Sequence, residues 1–465
     1  MPKVQSNHKP LAWIAASALF MQSLDATILN TALPSIAADL HQSPLEMQMT
    51  IISYALTVAL FIPLSGWIAD KYGTLTTFRI SVFLFVIGSI ACACSTNLNS
   101  LVISRILQGV GGSMMMPVAR LAIIRVVPKV ELLPIWNLMA MMGLVGPIVG
   151  PILGGWLVTY AHWHWIFLIN IPIGAIGIAL ATIYMQNVKG EQRKLDWTGF
   201  FLFGIGLVGV TLGLDLLNEH LFSAWQSVSI LVCGFLFILA YYFYALRAAN
   251  PLIPLSLFQI RTFRIGIIAN IFVRLCGSGI PFLIPLMLQV AFHYGADIAG
   301  FVIVPTALSS ILSKSLIEKI LNKYSYKQTL IASTLGMGLS IFAMAFLQQH
   351  SPLWCYVVLL ICYGGCLSTV FTAINTLTIC DLEQQTASAG TTMLSVVQQV
   401  GIGIGIVVAA LILTGYRNYF GEQDLANAFS YTYISIACFA IILIAILSRL
   451  HHTDGNQLQK HKAKS

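Results

Sequence analysis

Charged side chains are scarce in this 465-residue sequence: only 9% of the residues are Asp, Glu, Lys or Arg, whereas 58% are hydrophobic. Soluble domains carry about 25% charged residues, so a water-facing globule is excluded. No nucleophile–base pair and no cluster with metal-ligand spacing is recognisable, which argues against an enzyme and against a resident metal or other cofactor. Most of the nine cysteines fall in apolar stretches, where Cys behaves as a small apolar residue.

Long apolar stretches recur along the whole sequence, and the mean hydropathy is +0.85. A helix needs about 20 apolar residues to cross a bilayer. Lipid offers the backbone no hydrogen-bond partner, so each stretch is predicted to be a helix. The fourteen predicted spans cover residues 11–33, 49–69, 78–96, 101–124, 135–158, 164–186, 198–216, 226–246, 265–290, 297–317, 328–348, 353–379, 390–415 and 428–448.

The basic residues indicate how the chain is oriented in the membrane. Of the 24 Lys and Arg residues, all except Arg105, Arg274 and Arg417 are assigned to one side, with Arg120 and Lys314 counted among these loop cations. This is the positive-inside pattern, and it predicts that the N- and C-termini are both cytoplasmic. The net charge of +8 therefore reports topology and a lipid bilayer, not a nucleic-acid partner.

A short repeat suggests two related halves. The loop after the second span contains Lys71 and Tyr72, and the loop after the tenth contains Lys323 and Tyr324. Two six-helix bundles related by an axis along the membrane normal are a transporter architecture, although two similar turns can also arise by chance. The predicted division is an N-terminal half at 1–190, two inserted helices at 191–250, a C-terminal half at 251–450 and a cytoplasmic tail at 451–465.

Asp25 lies near the middle of the first predicted span. A charge there costs about 2.5–3.5 kcal/mol even on the lenient insertion scale. Such a carboxyl group is expected to face a cavity or a partner, where it can bind and release a proton. Proton and substrate would then compete for one site. The alternative is a structural carboxylate that fixes helix packing.

Two arginines also lie within predicted spans. Arg105 needs a carboxylate, carbonyls or water because it stays charged, and Gln108 shares its helix face at i+3. We expect Arg105 to face the cavity beside a carboxylate, unless it extends to a lipid headgroup. Arg274 could attract an anionic substrate, pair across the halves or extend to a headgroup.

Glycines recur in the fourth and fifth spans. Gly109 follows Gln108, and "GLVGPIVGPILGG" places Gly146 and Gly150 four residues apart. Glycines at this spacing allow close helix contact, while prolines such as Pro147 remove helix hydrogen bonds. The fifth span is therefore predicted to be either a moving interface or a simple packing face.

Five motifs in order resemble the major facilitator superfamily, in particular its fourteen-span drug:proton antiporter branch. They are "LDATILNTALP" (24–34), "GWIADKYG" (66–73), "RILQGVGG" (105–112), "GPIVGPILGG" (146–155) and "WHWIFLINIPIG" (163–174). The resemblance covers nearly the whole chain. It implies an all-α integral membrane fold with two six-helix pseudo-repeat bundles and two inserted helices.

The resemblance also implies roles for single residues. Asp25 would couple proton and substrate, and Arg105 would assist proton transfer. The gate and hinge motifs would comprise Gly66, Asp70, Gly73, Gln108, Gly109, Gly146, Pro147, Gly150 and Gly155. The family usually has basic residues directly after the glycine that matches Gly73, whereas threonines stand at Thr74, Thr76 and Thr77 here, so the charge network of the gate is expected to be rearranged.

The sequence therefore favours a proton-driven exporter of small amphipathic compounds in the bacterial inner membrane. It would use the proton gradient and no cofactor, with Asp25, Arg105 and Arg274 at the coupling site. One alternative keeps the fold and exports an anionic metabolite or a metal chelate. A more remote alternative is a membrane sensor that transports nothing. The oligomeric state stays open, and a monomer is compatible with the sequence.

Overall fold

The computed structural model describes residues 8–42, 44–191, 194–219, 223–249, 251–294, 298, 301–421 and 424–458. Within these ranges the chain is helical and contains no β-strand. The α-helices are α1 (Lys9–Asp39), α2 (Pro44–Tyr72), α3 (Thr74–Ala93), α4 (Leu98–Val126), α5 (Leu132–Tyr160), α6 (Trp165–Leu168), α7 (Asn170–Tyr184), α8 (Trp197–Glu219), α9 (Ala224–Ala245), α10 (Arg261–Gly277), α11 (Ile280–Leu286), α12 (Val304–Lys323), α13 (Tyr326–Met344), α14 (Leu353–Ile379), α15 (Gln384–Phe420) and α16 (Leu425–Leu447).

The helices confirm the predicted membrane fold. Eleven helical stretches in the described ranges are long and apolar enough to cross a bilayer. The helices α5, α12 and α13 occupy the three remaining predicted spans. The protein is an all-α, multi-pass membrane protein with fourteen spans.

Two spans differ in detail from the prediction of single continuous helices. The sixth consists of the short α6 followed by α7, and the ninth consists of α10, α11 and a π-helical turn at Met287–Ala291. The helix α12 of the tenth span begins at Val304, and Pro305 lies in its first turn, a position where proline is tolerated because that N–H has no helical partner. The predicted start of this span at residue 297 lies outside the described residues.

Local sequence determines several helix ends. Asn97 caps α4 by accepting a hydrogen bond from the Ser100 backbone N–H at 2.9 Å. Ser325 caps α13 in the same way, accepting from the Gln328 backbone N–H at 3.2 Å. Such side-chain caps stabilise a helix by about 1 kcal/mol each because they satisfy orphan donors of the first turn.

Contacts divide the chain into two compact units. The first contains Met1–Leu216, Phe222–Leu257 and Leu382–Val396, and therefore α1–α7, most of the α8–α9 pair and the start of α15. In this unit α8 and α9 approach closely, because a Cβ atom added at Gly209 would lie only 2.8 Å from the Gly234 Cα atom. The α8 helix also meets α2, where a Cβ atom at Gly204 would lie 2.8 Å from Leu60.

The second unit contains Phe258–Asp381, Val397–Ser465 and the short piece Leu217–Leu221. It is built from α10–α14, the rest of α15 and α16. The helices α12 and α14 approach closely, since a Cβ atom at Gly364 would lie 2.3 Å from the Thr306 carbonyl oxygen. The predicted boundaries of the two halves and of the inserted helices stay a prediction.

Candidate functional site

A polar cluster in the first unit centres on the carboxylate of Asp25. Arg105 donates from Nη1 to Asp25 Oδ2 at 2.7 Å, and the two side chains are only 2% and 1% exposed. Gln108 donates from Nε2 to Asp25 Oδ1 at 2.8 Å, and Asn170 donates from Nδ2 to the same oxygen at 3.3 Å. Three helices, α1, α4 and α7, thus contribute to one buried ion pair.

The guanidinium of Arg105 has further partners. Its Nη1 also donates to Gln108 Oε1 at 2.6 Å, and its Nε donates to the Thr50 carbonyl oxygen at 3.3 Å. The Tyr54 ring lies against it, with the ring centroid 4.3 Å from Cζ. A buried ion pair is tolerated when additional hydrogen bonds satisfy both charges, and α2 supplies part of that satisfaction here.

Ser89 of α3 links the two amide side chains of the cluster. Its Oγ accepts from Gln108 Nε2 at 2.9 Å and from Asn170 Nδ2 at 3.2 Å. We define the ion-pair cluster as Asp25, Ser89, Arg105, Gln108 and Asn170. Every member of this cluster is buried, so Asp25 is closed off from solvent in this conformation.

Small residues let the helices carrying the ion-pair cluster approach one another. A Cβ atom at Gly88 of α3 would lie 2.5 Å from the Gln108 backbone nitrogen, and one at Gly111 of α4 would lie 2.4 Å from the Phe85 nitrogen. A Cβ atom at Gly109 would meet Thr57 of α2 at 2.8 Å. Larger residues would separate the backbones and pull the polar side chains apart.

The glycine face of α5 lies on α1 on both sides of Asp25. A Cβ atom at Gly146 would lie 2.0 Å from Ser23 Oγ, and one at Gly150 would lie 2.2 Å from Thr27 Oγ1. Gly155 is different, because nothing lies within 4 Å of a Cβ atom there. The side chain of Pro147 lies outside the described residues.

The motif at the α2–α3 turn forms a second charged contact in the first unit. Asp70 accepts a short hydrogen bond from Arg125 of α4, and its own carbonyl accepts from the Gly190 backbone N–H at 3.1 Å. Gly73 has φ +95°, and a Cβ atom there would lie 2.1 Å from Asn187 Oδ1. Only glycine fits this turn without strain.

After Gly73, where the similar family usually has basic residues, this chain has threonines. Thr74 and Thr76 form hydrogen bonds with the segment that follows α7. The Thr74 backbone N–H donates to the Val188 carbonyl at 3.1 Å, and the Thr74 hydroxyl donates to the Gln186 carbonyl at 3.0 Å. The Thr76 backbone N–H donates to Asn187 Oδ1 at 3.3 Å. The turn is therefore held by neutral hydrogen bonds to residues 186–188, beside the Asp70–Arg125 pair.

Gly66 of α2 contacts the start of α15 within the same unit. A Cβ atom there would lie 2.5 Å from Ser388 Oγ and 2.8 Å from Thr392 Oγ1. Thr392 in turn shares a 3.3 Å hydrogen bond with Ser65. The contact is close enough to depend on glycine at this position.

Arg274 does not join the ion-pair cluster. It lies in the last turn of α10, in the second unit, and its Cζ is 4.6 Å from the centroid of the Phe371 ring. Its Nε is buried and has no hydrogen-bond partner in the structure. Arg274 therefore lies against an aromatic ring in the second unit, whereas Arg105 is paired with a carboxylate in the first.

The sequence prediction was wrong about two basic residues. Lys314 lies inside α12, is 7% exposed and donates to the Ser368 carbonyl at 3.4 Å and, over a short contact, to the Thr372 hydroxyl. Arg120 lies inside α4, is 5% exposed and donates to Ser395 Oγ at 3.3 Å. Both had been counted among the loop cations, although the predicted spans 101–124 and 297–317 include them.

Fourteen spans, together with charged residues held in the interior of a helical bundle, define a membrane transport protein. The Major Facilitator Superfamily model matches residues 15–406 and, in a second match, 266–464. The chain belongs to this superfamily, whose members are transporters rather than enzymes.

Two named relatives align along nearly the whole chain. The protein named probable transport protein HsrA of Haemophilus influenzae is 56% identical over 454 residues, which are 97% of this chain and 98% of the relative. MdtD of Salmonella typhi, which its name gives as a candidate multidrug resistance protein, is 37% identical over 475 aligned positions and 100% of both chains.

Solved structures share the fold at low sequence identity. The proton:xylose symporter XylE is similar with a TM-score of 0.70 at 12% identity, covering 99% of this chain and 100% of that one. The human organic anion transporter MFSD10 gives a TM-score of 0.67, also at 12% identity, covering 95% and 100%. At this identity the similarity shows the fold alone.

Proposed function

We propose that the protein is a proton-coupled antiporter that exports small amphipathic compounds across the bacterial inner membrane. The proton gradient drives it without a cofactor, and its termini are cytoplasmic. Support for membrane transport comes from the family. Support for proton coupling comes from the ion-pair cluster around Asp25.

The single observation that carries the proposal is the buried Asp25–Arg105 ion pair, joined at 2.7 Å. Protonation of Asp25 would cancel one charge of the pair and leave the Arg105 guanidinium, which cannot lose its proton. Removing one partner of a buried pair is unfavourable by about 3–5 kcal/mol. The protonated and ionised forms of Asp25 therefore favour different arrangements of α1, α4 and α7, which is what coupling requires.

The burial of Asp25 determines what proton exchange requires. Asp25 is 1% exposed, so proton exchange needs a second conformation in which α1 opens to water. The glycines of α5 give α1 a smooth contact, with Gly146 and Gly150 beside Ser23 and Thr27. Helices that meet through glycine can slide without side chains interlocking. Alternating access would expose Asp25 to one side of the membrane at a time.

The test is transport in proteoliposomes with an imposed proton gradient. Ethidium and rhodamine 6G serve as probes, and internal pH is followed with a trapped pH-sensitive dye. Wild-type protein is expected to move probe and protons in opposite directions. Asp25→Asn is expected to reduce the rate of gradient-driven transport at least tenfold, because Asn cannot exchange a proton.

The matched control is Asp39→Asn, on the same helix. Asp39 is exposed and accepts a 2.8 Å hydrogen bond from Trp163 Nε1, which Asn can still accept. It is expected to transport like the wild type. Gradient-driven transport by Asp25→Asn, with the pH dependence of the wild type, would refute proton coupling through this residue.

A further inference from the structure

The ninth span is interrupted in the middle of its length. The helix α10 ends at Gly277, and α11 begins at Ile280. Pro281 has no N–H to donate to the Gly277 carbonyl, the i−4 acceptor of a continuous helix. That carbonyl instead accepts a 2.7 Å hydrogen bond from the Tyr363 hydroxyl of α14. The interruption is thus stabilised by a specific partner, and interrupted helices at membrane depth occur where they are buried in protein or line a cavity.

Arg274 lies one turn before this interruption. Its side chain is partly buried, its Nε is enclosed without a hydrogen-bond partner, and no ion pair to it is found in the described part of the chain. A guanidinium stays charged under all ordinary conditions. It is therefore a partly buried charge, within a membrane span, whose counter-charge the described residues do not provide. Arg105, by contrast, has a carboxylate at 2.7 Å.

The contact with Phe371 leaves the hydrogen-bonding edge of Arg274 available. The ring centroid lies 4.6 Å from the guanidinium carbon, a distance typical of a guanidinium lying over an aromatic face. The N–H groups of a guanidinium point outward in its own plane and match the two oxygens of a carboxylate. Phe371 can thus orient Arg274 without using its donors.

Neighbouring residues of α14 and α15 pack closely against Arg274 and bring polar groups near it. A Cβ atom at Gly401 would lie 3.1 Å from Arg274 Cγ, and one at Gly405 would lie 2.3 Å from the Arg274 carbonyl oxygen. Asn375 lies one helical turn from Phe371, and Gln398 lies one turn from Gly401. Gln398 donates to Asn375 at 2.9 Å. An aromatic ring, a charged donor and two amides thus adjoin the helix break.

We propose that Arg274 binds a carboxylate of transported compounds, so that small amphipathic organic acids belong to the cargo. This inference rests on the proposed export function and specifies its substrate. The acid group pairs with the edge of the guanidinium, and its apolar body packs against Phe371. Binding supplies a counter-charge that the described residues do not give Arg274.

The experiment compares acids with their uncharged amides. Purified protein in a neutral maltoside detergent is titrated with 2-naphthoate, benzoate and salicylate, and with 2-naphthamide, benzamide and salicylamide. Binding is followed by thermal unfolding and by calorimetric titration. At least one acid is expected to bind the wild type tenfold more tightly than its amide, and Arg274→Gln is expected to lose that preference.

Arg264→Gln is the matched control, because Arg264 lies on the same helix and is exposed; it is expected to keep the preference for acids. Arg274→Lys keeps the charge but not the bidentate edge, so its affinity for acids is expected to fall between those of the wild type and Arg274→Gln. Size-exclusion chromatography establishes that each variant is folded. Equal binding of acids to wild type and Arg274→Gln, or a wild type that binds none of the acids, would overturn the proposal.

Two further arms separate the sources of the negative charge and the two proposals. Phosphatidylglycerol added to the detergent solution is not expected to displace the acid; displacement would assign Arg274 to a lipid headgroup and overturn the substrate assignment. Asp25→Asn is expected to bind acids with unchanged preference while losing gradient-driven transport. Acid binding without proton coupling in the wild type would contradict the proposed function and leave the Arg274 assignment intact.

Discussion

Breaking the Asp25–Arg105 pair from either side should destabilise the protein by a measurable and unequal amount. Both side chains are almost fully buried, at 1% and 2% exposed, so solvent screening is weak. Removing one partner of such a pair is expected to cost about 3–5 kcal/mol. Asp25→Asn keeps the size of the side chain, so its loss reports charge rather than a cavity. Arg105→Gln also shortens the side chain and removes its contact with Tyr54, a contribution that the double-mutant cycle cancels.

The contacts that remain in each variant determine which of the two loses more free energy of unfolding. In Arg105→Gln, the carboxylate keeps donors from Gln108 at 2.8 Å and Asn170 at 3.3 Å. In Asp25→Asn, the guanidinium stays charged and keeps only neutral partners such as the Thr50 carbonyl. The charge left unpaired is therefore expected to cost more in Asp25→Asn than in Arg105→Gln.

A double-mutant cycle isolates the pair itself. Free energies of unfolding are measured in mixed micelles for the wild type, both single variants and Asp25→Asn/Arg105→Gln. The coupling free energy is expected to be about 2–3 kcal/mol, with the double variant more stable than Asp25→Asn alone. A coupling below about 0.5 kcal/mol, or a double variant less stable than Asp25→Asn, would refute the reasoning.

Two further predictions concern helix packing, and each has a control variant. Gly150→Ala is expected to lower the free energy of unfolding by about 1–3 kcal/mol, because the added methyl group clashes with α1. Gly155→Ala, in open space, is expected to raise it by up to about 1 kcal/mol, because alanine favours the helix more than glycine does. Equal shifts of the two variants in thermal denaturation would count against the α1–α5 contact. Tyr363→Phe is expected to lower the free energy of unfolding by about 1–3 kcal/mol because the Gly277 carbonyl is left unsatisfied. Tyr326→Phe is the control, since this hydroxyl is buried without a partner in the structure and should be dispensable; similar losses in both variants would contradict the role of Tyr363 at the helix break.

The sequence predicted the helices well because membrane spans depend on local composition. An apolar stretch of sufficient length forms a helix in lipid whatever its neighbours are. Asp25 and Arg105 also stand out locally, since charges within spans are rare, and Gln108 follows from i+3 spacing on the same helix. Asn170 and Ser89 are ordinary polar residues of other spans, and only the arrangement of α3 and α7 brings them to Asp25.

Lys314 shows where local reasoning fails. It precedes Lys319 and Lys323, and it was counted with these lysines as a loop cation although the predicted span 297–317 includes it. The helix α12 continues to Lys323, and Lys314 shares its buried face with Ser310, Ile317 and Leu321. Spacings of four, three and four residues are the helical period, so this periodicity was a signal that the charge count overrode.

The interruption at Pro281 was also hidden from a hydropathy argument, because proline and glycine do not lower the apolar content of residues 265–290. Its consequence is an asymmetry between the two arginines. Each lies inside a span and each contacts an aromatic ring, Tyr54 for Arg105 and Phe371 for Arg274. Among the described residues, a carboxylate pairs with Arg105 but not with Arg274. An arginine with an internal counter-charge is expected to respond to protonation of that carboxylate, and one without such a partner is expected to respond to an anion from outside. On the two proposals made above, the first unit carries the proton site and the second unit carries the cargo site.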